Sequence, residues 1–430
     1  MKNIFSSLFL LIITSFYFFP FEFTFLPGIN TKMIMAGIGL VLLGINLGRS
    51  KESVFNRDIF FISLFAAAVS LAGYTSATYN GTADYSYASY LVSMWVWLSG
   101  AYVAVSCMRW IHGKVDCQLI CDYLIAVCVA QCLIAFSMEF SLPLKNFVDS
   151  FLGGEGFMGK NDDRLYGIGA ALDVAGSRFS AVLVMIAFLC SHTTQYVKTK
   201  TRLIWYLTAF AIILVIGNMI ARTTTIGSIF AIILFFSSTI SNSTIRQKVH
   251  IWSWAFSSII IFAVILGYFY QTNELVHQHI RFAFEGFFSL IEEGHWEVKS
   301  NNSLLSHWEK APASLKTWVI GDGYFQGHNF DPFYIGRFGF FYGDTDVGYL
   351  RFIYYFGLTG LICFISFLCY VTYVCSKKSP SFRNVFICCL LINLCVWAKV
   401  STDIFLVFAP FLCISSEENE EFEERIKLSE

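Results

Sequence analysis

The sequence predicts an all-α integral membrane protein with about twelve transmembrane helices and two sizeable loops on the outer side. Hydrophobic residues make up 56% of the 430 residues and charged residues only 14%, against roughly 25% charged in soluble domains. The 46 Phe and 21 Tyr give more apolar surface than soluble cores bury. A net charge of -1 without a basic cluster excludes a disordered chain and a nucleic-acid partner.

The predicted spans follow from apolar runs, since a bilayer core of roughly 30 Å needs about 20 apolar residues per helix. The candidate spans are 3–21, 31–48, 58–78, 87–108, 118–138, 179–197, 203–221, 225–241, 249–271, 346–374, 383–398 and 401–415. One helix over 203–240 would be about 57 Å long at ~1.5 Å per residue, so we place a turn at Arg222. The last two spans are short enough to form a re-entrant pair.

Orientation follows from the distribution of Lys and Arg, which collect on the cytoplasmic side of membrane proteins. Alternate short loops and the two termini hold sixteen of the 29 basic residues. This places both termini in the cytoplasm, and the apolar run 4–19 is interpreted as a retained first helix. The acidic tail 415–430 is expected to be solvated and partly disordered.

The two long outer loops are 139–178 and 272–345, and both are net acidic. In the second loop, apolar residues at helical spacing between His279 and Ile291 predict a helix lying on the outer leaflet. A second short helix is predicted over 303–317, interrupted at Pro312. The thirteen cysteines avoid both loops, so we interpret them as small hydrophobic residues packed between helices rather than as disulfide or zinc ligands.

Arginines on the outer side are few and are predicted to sit at membrane edges. They are Arg164, Arg178, Arg222, Arg337 and Arg351. For any one of them, an ion pair or an interfacial position is an equal explanation; for Arg351 the candidate partners are Asp344 and Asp346. For the set we favour a shared anionic ligand, because the guanidinium fork matches phosphate oxygens.

Candidate acid–base residues lie in the same loop. Asp344-Thr345-Asp346 has the D-x-D spacing of metal-dependent sugar-nucleotide transferases, but nucleotide sugars are cytoplasmic and this segment is predicted outside. Asp346 and His328 are therefore expected to act as general base or hydroxyl-binding residues rather than metal ligands. His277 and His279 have no third ligand nearby, so zinc is not expected.

These features together resemble the Wzy-type O-antigen polymerases and, more loosely, the O-antigen ligases. The resemblance rests on the topology, the turn at Arg222, and the stretches Gly321-Asp322-Gly323-Tyr324-Phe325, Asp346-Val347-Gly348-Tyr349-Leu350-Arg351 and Gly357-Leu358-Thr359-Gly360. Arg337, ten residues and Gly348 fit the R-x10-G pattern of some polymerases, whereas Arg164 does not begin such a pattern. Thr345-Asp346 stands where the ligases carry His-Asn.

The resemblance implies transfer of a growing glycan from undecaprenyl pyrophosphate onto a newly flipped lipid-linked repeat unit, at the periplasmic face of the inner membrane. We assign Arg178 and Arg222 to the pyrophosphate, with Arg351 or Arg164 assisting and Arg337 as a further candidate. Five aromatic residues are candidates for contacting sugar rings or anchoring the loop at the interface: Tyr324, Phe325, Phe330, Phe333 and Tyr334.

No cofactor or metal is expected, because the leaving group is already activated. The expected partners are the lipid-linked oligosaccharide, membrane lipids, a chain-length regulator and a flippase, with no nucleic acid. Two alternatives stay open: an O-antigen ligase, and a flippase for lipid-linked oligosaccharides, which would be a transporter rather than an enzyme. A flippase is expected to carry charge deep inside its spans and only short outer loops, unlike this chain.

Overall fold

The computed structural model describes residues 4–47, 56–152, 164–192, 200–242, 253, 257, 260, 264–325 and 341–427. These residues are helical apart from connecting segments and two isolated β-bridges, Glu22–Asn30 and Phe23–Leu152. The helices are α1 Ile4–Phe18, α2 Thr31–Leu47, α3 Arg57–Asn80, α4 Tyr90–His112, α5 Cys117–Phe140, α6 Leu142–Phe151, α7 Leu172–Ser191, α8 Lys200–Ile220, α9 Thr224–Asn242, α10 Glu274–Ala283, α11 Glu285–Glu292, α12 Lys299–Trp308, α13 Leu315–Val319, α14 Gly348–Lys378, α15 Arg383–Val396, α16 Phe405–Leu412 and α17 Ser416–Lys427. Residues 264–272 are also helical.

Six helices within the described residues are long and apolar enough to cross a membrane, which confirms the prediction of an all-α membrane protein. They are α3, α4, α5, α7, α8 and α14. Shorter apolar helices occupy four further predicted spans, at α1, α2, α9 and the segment Pro380–Val396. The predicted span 249–271 lies largely outside the described residues.

The helices form a bundle with two distinct ends. One end, which we call the loop end, carries 19–30, 81–89, 141–152, 164–171, 221–223, 273–325 and 341–347. Its segments contact one another, as shown by the Thr24 N–H bond to Phe151 O (3.0 Å) and the Phe325 N–H bond to the Asp84 carboxylate (2.7 Å). The opposite tail end carries 109–116, 379–382 and 413–427.

Helix α7 is the centre of the bundle, and its C-terminal half is buried on every side. Small residues let its neighbours approach closely, as in other helix pairs in membranes. A β-carbon on Gly227 of α9 would lie 2.1 Å from Ser180 Cα, and one on Gly176 would lie 1.9 Å from Thr223 Oγ1. The prediction of a span over 179–197 was wrong at its start, because α7 begins at Leu172.

The close approach of Gly227 to Ser180 predicts that Gly227→Val destabilises the bundle. Side-chain atoms on Gly227 must push α9 away from Ser180, so we expect a loss of about 3 kcal/mol, the upper part of the usual cost of overpacking. Thermal unfolding of the detergent-solubilised protein measures this. The matched control is Gly44→Val, since a β-carbon on Gly44 meets nothing within 4 Å. Equal midpoints for both variants would contradict the close packing.

Helix α14 is broken at Gly357, whose φ of 67° lies in the left-handed region. The break frees backbone carbonyls, and the glycine-rich turn 321–323 donates hydrogen bonds to them. Asp322 N–H donates to Tyr354 O (2.6 Å) and Gly323 N–H donates to Tyr355 O (3.1 Å). A β-carbon on Gly321 would lie 2.4 Å from Tyr355 O. The glycine-rich stretch and the Gly357 segment therefore form one packing unit.

The last two predicted spans are α15 and α16, and α16 has only eight residues, around Pro410. The chain nevertheless passes between the two ends here. Asp403 accepts a hydrogen bond from Tyr90 Oη at the loop end (2.9 Å), and Cys413 O accepts one from Arg109 at the tail end (3.3 Å). The two helices thus connect the two ends of the bundle, and the second helix is shorter than the predicted span 401–415.

The acidic tail differs from the prediction, since residues 416–427 form helix α17 and dock on the tail end. Opposite charges explain the docking: Glu418 lies 2.7 Å from Arg109, Glu421 lies 2.6 Å from Lys114, and Arg425 lies 2.7 Å from Asp116.

We expect this docking to weaken in acid. Burial raises the pKa of Glu418, but the hydrogen bonds and charge of Arg109, with backbone N–H bonds, lower it further than burial raises it, so the pKa lies below its ordinary 4.5. A lowered folded pKa stabilises the docked state above the unfolded pKa, and that stabilisation is lost as the pH falls through the folded value. The protection factors of amides 416–427, which correct for the slower intrinsic exchange in acid, should fall below pH 4.5, and Glu418→Gln should lower them already at neutral pH. Unchanged protection factors in both cases would contradict this.

The outer loop 272–345 contains the expected helices with an extra interruption. The predicted helix around 279–291 is two helices, α10 and α11, joined at Phe284. The predicted helix 303–317 is α12 and α13, separated by residues 309–314 around Pro312. Exposed apolar side chains on α11, including Phe287 and Ile291, agree with an interfacial position.

Candidate functional site

A cavity of about 710 Å³ lies at the loop end, between the end of α5, the α8–α9 turn and the helices α10 and α11. Its charged and titratable lining residues are Glu139, Arg164, Arg222, His279, Arg281, Glu285, Glu292, Glu293 and Glu297. The α8–α9 turn occurs where the sequence predicted it, because α8 ends at Ile220 and α9 begins at Thr224.

Two of the predicted arginines meet in this cavity at the ring of Phe282. The guanidinium carbon of Arg222 lies 4.0 Å from the ring centroid and that of Arg164 lies 5.3 Å from it. Arg222 also pairs with Glu285 at 2.6 Å. Among the described residues, Arg164 forms no ion pair. The two guanidinium groups therefore share one aromatic platform, where cation–π contacts hold them in place.

The turn that carries Arg222 is rigidly held. Ser180 Oγ donates to Thr223 O (3.0 Å), and Thr225 Oγ1 donates to the Asn218 side chain (2.6 Å). Burial lowers the pKa of Arg222, Glu285 raises it, and Arg164 lowers it further; the net shift is downward. Since the ordinary pKa of a guanidinium lies far above neutral pH, the group stays protonated, and two positive charges line the cavity.

Three further acidic residues of the cavity, Glu292, Glu293 and Glu297, pair with basic residues nearby. Arg281 binds both carboxylate oxygens of Glu292, at 2.8 and 2.6 Å. Glu293 and Glu297 converge on His295, at 3.4 and 3.1 Å. The Glu297 hydrogen bond and the Glu293 carbonyl raise the pKa of His295. These three residues have the donor types and spacing to hold a metal ion, but all are exposed, and exposed acidic groups are common without one.

A carboxylate–imidazole pair completes the cavity. Glu139, one residue before the end of α5, has its Oε1 3.3 Å from His279 Nε2 on α10. The side chain of Lys145 lies 3.9 Å from the other oxygen, Oε2.

Arg178 lies elsewhere, inside the bundle rather than at its edge. Because α7 begins at Leu172, Arg178 is in the second turn, 6% exposed, and donates to Phe18 O at 2.6 Å. Its guanidinium lies 5.5 Å from the Phe19 ring and 5.9 Å from the Trp97 ring. Asp403 and Lys32 are the charged groups that act on it. We therefore revise its assignment from pyrophosphate binding to holding α1, α4 and α7 together.

Arg351 is also separate from the cavity. It is 5% exposed, and its guanidinium lies between the rings of Phe325 (4.1 Å) and Phe341 (3.5 Å). Within the described residues it forms no ion pair with Asp344 or Asp346. Phe325 is buried against it, so this ring is not open to a sugar, which corrects its expected role. The neighbouring Tyr324 is half-buried, with its ring 5.1 Å from that of Tyr342.

Asp346 does not line the arginine cavity. Its side chain is 61% exposed, and its N–H donates to His307 Nδ1 at 3.2 Å. The remaining predicted residues lie outside the described residues: His328, Phe330, Phe333, Tyr334 and Arg337.

Sequence reasoning missed four residues that build the cavity, namely Glu139, His279, Phe282 and Glu285. In the sequence His279 stands out only as half of a His-x-His pair without a third ligand, and Phe282 and Glu285 stand out only as members of the amphipathic stretch 279–291. Glu139 carried one usable signal, since it is the first acid after a long apolar span.

Fold and site together define an all-α membrane protein with an arginine- and carboxylate-lined cavity at one end of its bundle. No protein-family model matches the chain, and it matches no curated protein and no solved structure.

Proposed function

We propose that the chain is an O-antigen polymerase of the bacterial inner membrane. It joins undecaprenyl-pyrophosphate-linked oligosaccharide repeat units during lipopolysaccharide biosynthesis. In this proposal the chain crosses the membrane about twelve times, the loop end faces the periplasm, and both termini are cytoplasmic. The observation that carries it is the pair of arginines, Arg164 and Arg222, on one aromatic platform in a cavity beside the interfacial helices α10 and α11.

The chemistry suits such a pair. Breaking a bond between a sugar and pyrophosphate develops negative charge on the leaving phosphate oxygen. Positive groups fixed at that position stabilise the transition state more than the ground state. In the structure Arg222 binds the Glu285 carboxylate. That carboxylate occupies the position that a phosphate oxygen would take, so the phosphate must displace it.

The orientation is supported by the charge on the tail end. The basic residues Arg109 and Lys114 lie there and bind the acidic helix α17. Basic residues in short loops mark the cytoplasmic side, which leaves the cavity on the opposite, periplasmic side.

Deleting the gene and separating the surface lipopolysaccharide by gel electrophoresis tests the proposal. The expected result is core lipopolysaccharide capped with a single repeat unit, and a ladder restored by the wild-type gene. A persisting ladder in the deletion strain would contradict polymerase activity. Loss of all capped material would instead favour one of the two alternatives. Polymer retained on undecaprenyl pyrophosphate would then indicate a ligase, and single lipid-linked units trapped in the inner leaflet would indicate a flippase.

A further inference from the structure

The cavity contains a carboxylate whose surroundings differ from those of its other acids. Glu285 and Glu292 pair with arginines, and an arginine partner keeps a carboxylate ionised and a poor proton acceptor. Glu293 and Glu297 are about half exposed around His295. Glu139 instead has the His279 imidazole as its nearest charged or titratable partner, at 3.3 Å, and the Lys145 ammonium lies farther away, at 3.9 Å from its other oxygen.

Glu139 and His279 come from helices far apart in the chain and are held face to face. The side chains are 20% and 8% exposed, and the Nε2–Oε1 distance is 3.3 Å. Both line the cavity that holds Arg164 and Arg222. A hydroxyl in the cavity thus shares it with a partly open carboxylate and with the two guanidinium groups.

We infer that Glu139 is the general base that takes the proton of the acceptor sugar hydroxyl, and that His279 is a positioning residue that orients its carboxylate. This inference rests on the proposed function. It replaces Asp346 in that role, because Asp346 does not line the cavity that holds Arg164 and Arg222.

The step balances without a further reactant. The acceptor hydroxyl oxygen forms a bond to the anomeric carbon of the donor glycan. The bond between that carbon and the pyrophosphate oxygen breaks, and its electron pair stays on the pyrophosphate beside Arg164 and Arg222. The hydroxyl proton moves to a Glu139 oxygen and from there to water.

Titratable and charged groups act on Glu139 from several neighbouring elements. His279 faces it from α10 and Lys145 from α6. Tyr166, on the segment before α7, interacts with it electrostatically, while Arg164 and Arg222 share the cavity. Since the base must be ionised, the rate of the wild-type protein should fall in acid.

The test uses the full-length protein in lipid nanodiscs with a synthetic undecaprenyl-pyrophosphate-linked repeat unit, and measures undecaprenyl pyrophosphate release against pH. We expect Glu139→Gln to lower kcat at least 100-fold, the lower range for general-base catalysis, and to remove the acid limb of the profile. His279→Gln, which keeps a donor for Glu139, should lower kcat by about 10-fold and move the acid limb. His277→Gln is the matched control, because its ring stacks on Tyr270 at 4.3 Å.

The outcomes separate this inference from the function on which it rests. No release by the wild-type protein would overturn the proposed polymerase. Release by the wild type with Glu139→Gln equally active would overturn the general base alone. A His279→Gln rate reduced equally at every pH would overturn the positioning role. Binding of inorganic pyrophosphate to Glu139→Gln, measured by calorimetry, should match that of the wild type, which excludes misfolding.

Discussion

Arg222→Ala is expected to lower polymer formation at least 100-fold while the protein stays folded and membrane-inserted. Arg222 lies at a turn whose backbone is held by Ser180 and by the Asn218–Thr225 hydrogen bond, so the side chain can be removed without disturbing the bundle. Losing one fixed group that stabilises developing negative charge costs about 10²–10³ in rate. The lipopolysaccharide ladder of complemented cells and the rate of the purified variant measure the effect.

Two further variants sharpen this prediction. Arg281→Ala removes another arginine of the same cavity, one that is bound to Glu292 on the surface, and should leave most activity. Glu285→Gln removes the carboxylate that competes for Arg222 and should tighten the binding of inorganic pyrophosphate. Full activity of Arg222→Lys would contradict two-point binding of phosphate oxygens, which a lysine cannot provide.

Arg178→Ala is expected to lower the stability of the protein rather than the activity of its folded fraction. The side chain is buried, donates to Phe18 O and interacts with Asp403 inside the bundle. Leaving a buried carbonyl without its donor typically costs about 1–3 kcal/mol, so the thermal midpoint in detergent should fall and less folded protein should accumulate. The folded fraction should keep activity within a few-fold of wild type.

Arg222→Ala is the natural control for this variant, since it should keep the wild-type midpoint. If Arg178→Ala folded normally but made no polymer, Arg178 would belong to the reacting site, and its assignment to the bundle would be wrong.

The positions of helices and turns could be predicted from the sequence, because they depend on neighbouring residues. Apolar runs located the membrane helices, the single charge at Arg222 located the α8–α9 turn, and helical spacing located α10 and α11. These features follow from the cost of leaving charge or backbone polar groups in a membrane.

The site itself depended on contacts between distant segments. Glu139 and His279 are 140 positions apart along the chain, and nothing in either neighbourhood indicates the other. The sequence pattern places Arg178 at a membrane edge, because it assigns 139–178 to an outer loop that includes Asp173. In the structure α7 begins before them, and Lys399 pairs with Asp173 at 3.3 Å.

The central claim is tested most directly with the purified protein in nanodiscs and undecaprenyl-pyrophosphate-linked repeat units as the only substrate. The account predicts a ladder of glycans, with one undecaprenyl pyrophosphate released for each linkage formed, and no ladder with Arg222→Ala. Repeat units that remain single in the presence of folded wild-type protein would contradict it.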